Sequence, residues 1–101
     1  MKNYELFIKK KKAKTAIALS YDKEKDLAPK ILATGKNLLA EKIIQEAEKH
    51  DIHIEQNQEL AELLSIIEVN QYIPREAYEA IAQILSYIYS RKTNPHMDAK
   101  G

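Results

Sequence analysis

The sequence predicts a single α/β domain: a small mixed sheet of three or four short strands packed by three helices. Three observations predict it. At 101 residues the chain is long enough to enclose one core and too short for two. Short apolar runs alternate large and small side chains, the two-residue period of a strand covered on both faces. Three later stretches repeat their apolar residues at helical spacing. Hydrophobic residues make up 45% and charged residues 31%, the balance of a folded chain rather than a disordered one.

The elements follow in order. Tyr4-Glu-Leu-Phe-Ile8 reads as a short strand, met at once by Lys9 to Lys12. In Thr15–Tyr21, Ile17, Leu19 and Tyr21 share one strand face, while Ala16, Ala18 and Ser20 share the other, where a helix can pack closely. Asp22 to Asp26 form a charged turn. Ile31–Thr34 follows Pro29 as a further strand, and Gly35 is expected to supply a positive φ at the turn after it.

Asn37 is expected to cap a helix over 38–50 that buries Leu39, Ala40, Ile43, Ile44 and Ala47 and turns Glu41, Lys42, Gln45 and Glu48 to water. Ile52 and Ile54 flank His53 in a very short strand. Asn57 caps a second helix carrying Leu60, Leu63, Leu64 and Ile67, which Asn70-Gln71 ends. Pro74 suits the first turn of a third helix reaching about Arg91. That helix buries Tyr78, Ile81, Leu85, Ile88 and Tyr89 on one side, with Tyr87 and Tyr89 partly open near its end. Residues 93–101 lack periodicity and read as a flexible tail.

Composition removes several kinds of chemistry. The chain has no Cys, so it has neither disulfides nor thiolate ligands. No apolar run approaches the roughly 20 residues of a membrane span, and no apolar stretch follows the Lys-rich start as a signal peptide would need. Membrane insertion is therefore not expected, and a cytoplasmic location is. Two Gly and three Pro leave no material for a Gly-rich phosphate loop. His50 and His53 are three apart, but the helix ends between them, and His96 lies in the tail. No nucleophile or orienting partner accompanies them. No catalytic, cofactor-binding or metal-binding residue is expected.

Net charge is only +1, yet it is unevenly spread. Residues 1–14 carry six Lys against one Glu, whereas residues 15–92 carry nine basic against thirteen acidic groups. Lys9, Lys10, Lys11, Lys12 and Lys14 form a candidate basic contact patch. One reading is a solvated arm that keeps an edge strand from pairing with other chains. Another is contact with a protein or an anionic membrane surface, and a third is an adaptor for RNA. Nucleic acid is the least expected partner, because no RNA-binding signature accompanies the aromatics Tyr4 and Phe7.

An ordered set of segments then becomes specific: Thr15-Ala-Ile-Ala-Leu-Ser-Tyr-Asp22, Ala28-Pro-Lys-Ile-Leu-Ala-Thr-Gly-Lys36, Ala40-Glu-Lys-Ile-Ile44, Ile52-His-Ile-Glu-Gln-Asn57, Leu60-Ala-Glu-Leu-Leu64, Val69 to Pro74 and Tyr78 to Tyr89. Residues 15–92 resemble the cytoplasmic C-terminal domain of the type III export switch proteins, the FlhB/YscU family of flagella and injectisomes. Residues 1–14 are then a basic arm, including an edge strand, and 93–101 a tail.

The resemblance implies that a transmembrane domain precedes this region in relatives and that an Asn-Pro-Thr-His sequence sits just before the strand matching Thr15–Tyr21. There the Asn cyclises onto its own carbonyl carbon and cuts the Asn–Pro bond. Here that stretch reads Lys11-Lys12-Ala13-Lys14, with neither the amide nucleophile nor the proline, so cleavage at this position is chemically excluded. Asn94-Pro95-His96 lacks the Thr and a turn held between strands, so a self-cleaving switch there is the weaker rival.

The sequence thus looks like a soluble FlhB-like module without the membrane domain. The resemblance implies a non-enzymatic binding role in which the module takes the cleaved fragment's place. Its partners would be the membrane-anchored switch protein, other export-gate components, and exported substrate proteins or chaperones. It would sit in the cytoplasm, peripheral to the inner face of the membrane. Thr15, Ile17 and Leu19 would pair with a partner strand, unless Leu6 to Ile8 supply that strand within the chain. The resemblance also sets Ala28 and Pro29 near Ala82 and Leu85, where there are two readings: ordinary helix–sheet packing, or a shallow groove left by small apolar residues for a short hydrophobic export signal.

Overall fold

The computed structural model describes residues 3–10 and 14–93. The order is β1 (Asn3–Lys9), β2 (Thr15–Asp22), β3 (Lys30–Lys36), α1 (Leu38–Lys49), β4 (His53–Gln56), α2 (Gln58–Ser65), a single 3-10 turn (Arg75–Ala77) and α3 (Tyr78–Thr93). The sheet is mixed, with spatial order β3-β2-β1-β4. β1 and β2 form an antiparallel hairpin in which Leu6 faces Leu19 and Ile8 faces Ile17. β3 pairs antiparallel with β2, with a bulge that sets Leu32 between the Leu19–Ile31 and Ala18–Ala33 pairs. The α1 crossover brings β4 back beside β1 as a parallel neighbour, Phe7 facing Ile54.

The size alternation in β2 decides how the layers stack. Ile17 and Leu19 point into one core with Leu6, Ile8 and Ile31, roofed by α2 through Leu60 and Leu64 and by α3 through Ile81 and Ile88. Ala16 and Ala18 point to the opposite face, where Ala40, Ile43, Ile44 and Ala47 of α1 cover them. Alanines on both surfaces let that helix approach closely, which the small residues of β2 predict.

Several local expectations are corrected. β1 is not an edge strand of an arm. It lies between β2 and β4, and Leu6 and Ile8 are buried, because the crossover needs a partner for β4 and β1 is the free edge available. Gly35 does not turn the chain with a positive φ; it is the sixth residue of β3. Its role is space, since a Cβ there would lie 2.5 Å from Cγ of Leu39. Leu39 rests on that glycine and stays half exposed instead of entering the core.

Asn37 stands at the N-cap position of α1 with φ 55°, and its side chain makes no capping hydrogen bond. Its backbone is held from outside the helix, its N–H donating to the Lys14 carbonyl at 2.9 Å. Asn57 does cap α2, accepting from the Leu60 N–H at 3.0 Å. α2 stops at Ser65, so Ile67 packs from the following loop. Pro74 precedes the 3-10 turn, and α3 proper begins at Tyr78. Tyr78, expected on the buried side, is open to solvent; Tyr87 and Tyr89 are partly open as expected near the helix end, and Ile81 and Ile88 are buried.

Candidate functional site

The Asp22–Asp26 turn is braced by its own groups. The Asp26 carboxylate accepts from the Asp22 N–H at 3.0 Å, Asp22 accepts from the Glu24 N–H at 3.0 Å, and Lys30 Nζ stands 3.7 Å from Asp26. This brace sets the direction of the next residues: Leu27 is left 89% exposed while Ala28 is buried. The Pro29 carbonyl accepts from the Ile73 N–H at 2.9 Å, fastening the start of β3 to the segment that leads into α3.

Between this fastened corner and α3 lies an open groove of about 360 Å³. Ala28 and Pro29 line one wall, and Ala82 and Leu85 of α3 line the other. The four residues that the family resemblance sets together thus share one surface. Tyr21, Lys23, Leu27, Tyr78 and Tyr89 also line it and were not tied to it from sequence. They come from a strand end, a turn and two distant turns of one helix, and no local pattern ties such positions together. Lys23 Nζ lies 4.4 Å from the centre of the Tyr89 ring, a cation–π contact at the groove mouth. The groove suits an apolar chain flanked by aromatic rings and a cation. It holds no convergent set of nucleophile, base and acid.

The strand expected to await a partner is already paired. Ile17 faces Ile8 and Leu19 faces Leu6 of β1 on one side, while Thr15 faces Lys36 of β3 on the other. Of the two neighbours left open by the sequence, the structure has the one within the chain. Another polypeptide would have to displace β1, and with it the buried Leu6, Phe7 and Ile8.

Of the candidate basic patch, Lys11 and Lys12 lie outside the described residues, as do the proposed tail and Asn94-Pro95-His96. Lys9 closes β1, Lys10 pairs with Glu62 at 3.3 Å, and Lys14 is exposed just before β2. His50 ends α1 with Nδ1 3.0 Å from the Glu46 carbonyl, and His53 Nε2 lies 2.8 Å from Glu55. Among the described residues no three His, Asp or Glu groups stand together as a metal site. No helix among them is long and apolar enough to cross a membrane.

The comparisons with known proteins agree on one family. The sequence model described as the FlhB HrpN YscU SpaS Family matches residues 13–88. The chain belongs to this family. It is 45% identical over 74 residues to the uncharacterized protein YlqH of Bacillus subtilis (strain 168), spanning 73% of this chain and 80% of that one. It is 44% identical over 78 residues to the flagellar biosynthetic protein FlhB of the same organism, covering 76% of this chain but only 22% of that FlhB.

Among solved structures, the FlhB cytoplasmic domain from Shewanella putrefaciens superposes with a TM-score of 0.79 at 25% identity, over 97% of this chain and 74% of that one. A crystal structure of the EscU C-terminal domain does so with a TM-score of 0.75 at 31% identity, over 81% of this chain and 75% of that one. The mixed four-stranded sheet with three helices is thus the FlhB-family cytoplasmic domain fold. The 97% coverage leaves no room to omit β1, so the first strand belongs to that shared fold.

Proposed function

We propose that this chain is a binding module of the flagellar or a related type III export apparatus, working at the inner face of the cytoplasmic membrane. It takes the place of the C-terminal fragment of the membrane-anchored switch protein and contributes to protein export or its substrate specificity. The groove receives a short hydrophobic segment of an exported protein.

The observation that carries this reading is the open, mostly apolar groove where Ala28 and Pro29 meet Ala82 and Leu85 in an FlhB-family domain. Small residues leave room that larger ones would fill, and an apolar segment entering there buries surface against Leu85 and the flanking rings. The role is binding. Lys11-Lys12-Ala13-Lys14 offers no amide side chain to attack the backbone and no prolyl bond to cut.

The test is rescue of motility and export in cells whose full-length switch protein lacks its C-terminal fragment. The chain is expected to restore export and to co-purify with gate components. Ala82→Glu, a change at an exposed helix position, should abolish rescue while the variant folds normally. The reading falls if the chain neither co-purifies nor rescues, or if Ala82→Glu rescues fully. An intact mass corresponding to a chain ending at Asn94 would replace it with a self-cleaving switch.

A further inference from the structure

The groove occupies one end of the sheet, where β2 ends and β3 begins. The other end carries a different surface. β1 and β3 finish there and β2 starts there. The Lys10 N–H donates to the Thr15 carbonyl at 3.0 Å, Thr15 faces Lys36, and the Asn37 N–H donates to the Lys14 carbonyl at 2.9 Å. These bonds hold Lys9, Lys14 and Lys36 at one pole of the domain, Lys14 and Lys36 exposed.

The first two residues of α1 emerge beside them, Leu38 74% and Leu39 51% exposed. Leu39 rests on Gly35 with half of its surface still open, and Leu38 belongs to neither core cluster. The acidic groups near this pole include Glu62, drawn to Lys10 at 3.3 Å, Glu41 in the first turn of α1, and Glu55 and Glu59, which flank the Asn57 N–H bond to the Lys9 carbonyl. The sequence places no acidic residue between Lys10 and Lys14.

We propose that this pole, formed by Lys9, Lys14, Lys36, Leu38 and Leu39, docks the domain on a bilayer surface rich in anionic phospholipid. The inference rests on the reading of the chain as a module working at the inner face of the membrane, and it names the surface that holds it there. The choice of occupant follows from residue type. The charges are all lysine, flexible point charges that suit a diffuse sheet of headgroups, and this set of residues includes neither the arginine nor the aromatic anchors that fixed protein interfaces favour. The leucines stand where side chains enter the boundary between headgroups and acyl chains. In this pose the groove points away from the membrane, toward arriving cargo.

The experiment is flotation of the full chain with phosphatidylcholine vesicles, with and without about an equal part of phosphatidylglycerol. The chain should float with the mixed vesicles and remain behind with phosphatidylcholine alone. Binding should collapse at about 1 M salt, where the screening length falls to about 3 Å. Lys14→Gln with Lys36→Gln should weaken partitioning about 25-fold, roughly fivefold for each lysine. Leu38→Ser should weaken it a further few-fold at every salt concentration, and circular dichroism should show both variants folded.

Equal flotation with neutral vesicles overturns the proposal, as does full binding by the double lysine variant. Salt-sensitive binding to RNA or to an acidic protein without flotation overturns it too. The two readings separate cleanly. Ala82→Glu should float like the parent while failing to rescue export, and a chain that rescues export but never floats removes the docking surface and leaves the groove.

Discussion

The two faces of the sheet are built on opposite plans. On the α1 face, Ala16 and Ala18 meet Ala40 and Ala47, and the helix lies close against the strands. On the other face, Leu6, Ile8, Ile17, Leu19 and Ile31 fill a deeper layer that α2 and α3 roof with Leu60, Leu64, Ile81 and Ile88. Close packing by small residues brings α1 down onto that face, and the groove opens on the other, where a helix stands off on large side chains. The same residue type acts in opposite ways. Alanine facing alanine draws α1 in, while Ala28 and Ala82 at the margin of the aliphatic layer leave space beside α3.

The contrast can be broken most strongly on the aliphatic side. Leu64→Ala removes a fully buried side chain that joins α2 to the sheet and should lower stability by about 3 kcal/mol in urea unfolding. The alanine side should fail in the opposite sense, by excess volume. Ala47 is fully buried, so Ala47→Leu should cost about 2 kcal/mol by pushing α1 off β2, with the groove left intact.

The helix starts sharpen the comparison further, because each face has one that begins at an asparagine. Asn57→Ala breaks the bond to the Leu60 N–H and should lower the unfolding midpoint by the equivalent of about 1 kcal/mol. Asn37→Gly is the smallest effect and has the reverse sign. With φ at 55° and no capping bond to lose, glycine should raise stability by a few tenths of a kcal/mol in the same assay. A loss of a few tenths of a kcal/mol there instead would show that Asn37 caps α1 after all.

The pair of asparagines also shows how far sequence reading reaches. Both sit one residue before an amphipathic run, and that pattern marks a helix start correctly in each case. Whether the side chain caps depends on how the backbone arrives. At Asn57 it comes in extended, and at Asn37 it is pulled aside by the Lys14 carbonyl, 23 residues earlier in the chain. The faces of β2 were legible for a related reason, since alternation along one strand is a local signal.

The interior position of β1 was not legible, because it depends on where the α1 crossover delivers β4. Gly35 announced a turn but serves a contact with Leu39, a side chain that sequence reading assigned to the core. The groove shows both limits at once. Ala28, Pro29, Ala82 and Leu85 were set together by resemblance to relatives, not by spacing. Tyr21, Lys23 and the two tyrosines at either end of its α3 wall became visible only when the chain was folded.

The bulge at Leu32 has a last consequence, in the behaviour of the protein when it is crowded. An open sheet offers its outer strands to any extended chain, the route by which β proteins clump. Here the first half of β3 is already occupied, since Ile31 exchanges backbone bonds with Asn70 and Gln71. The bulge then bends the strand just where that cover ends, and lysines stand at both of its tips. The opposite edge, β4, is four residues long. Neither rim offers a long flat template, so the domain can keep a solvent-exposed hydrophobic groove without inviting its own copies to stack.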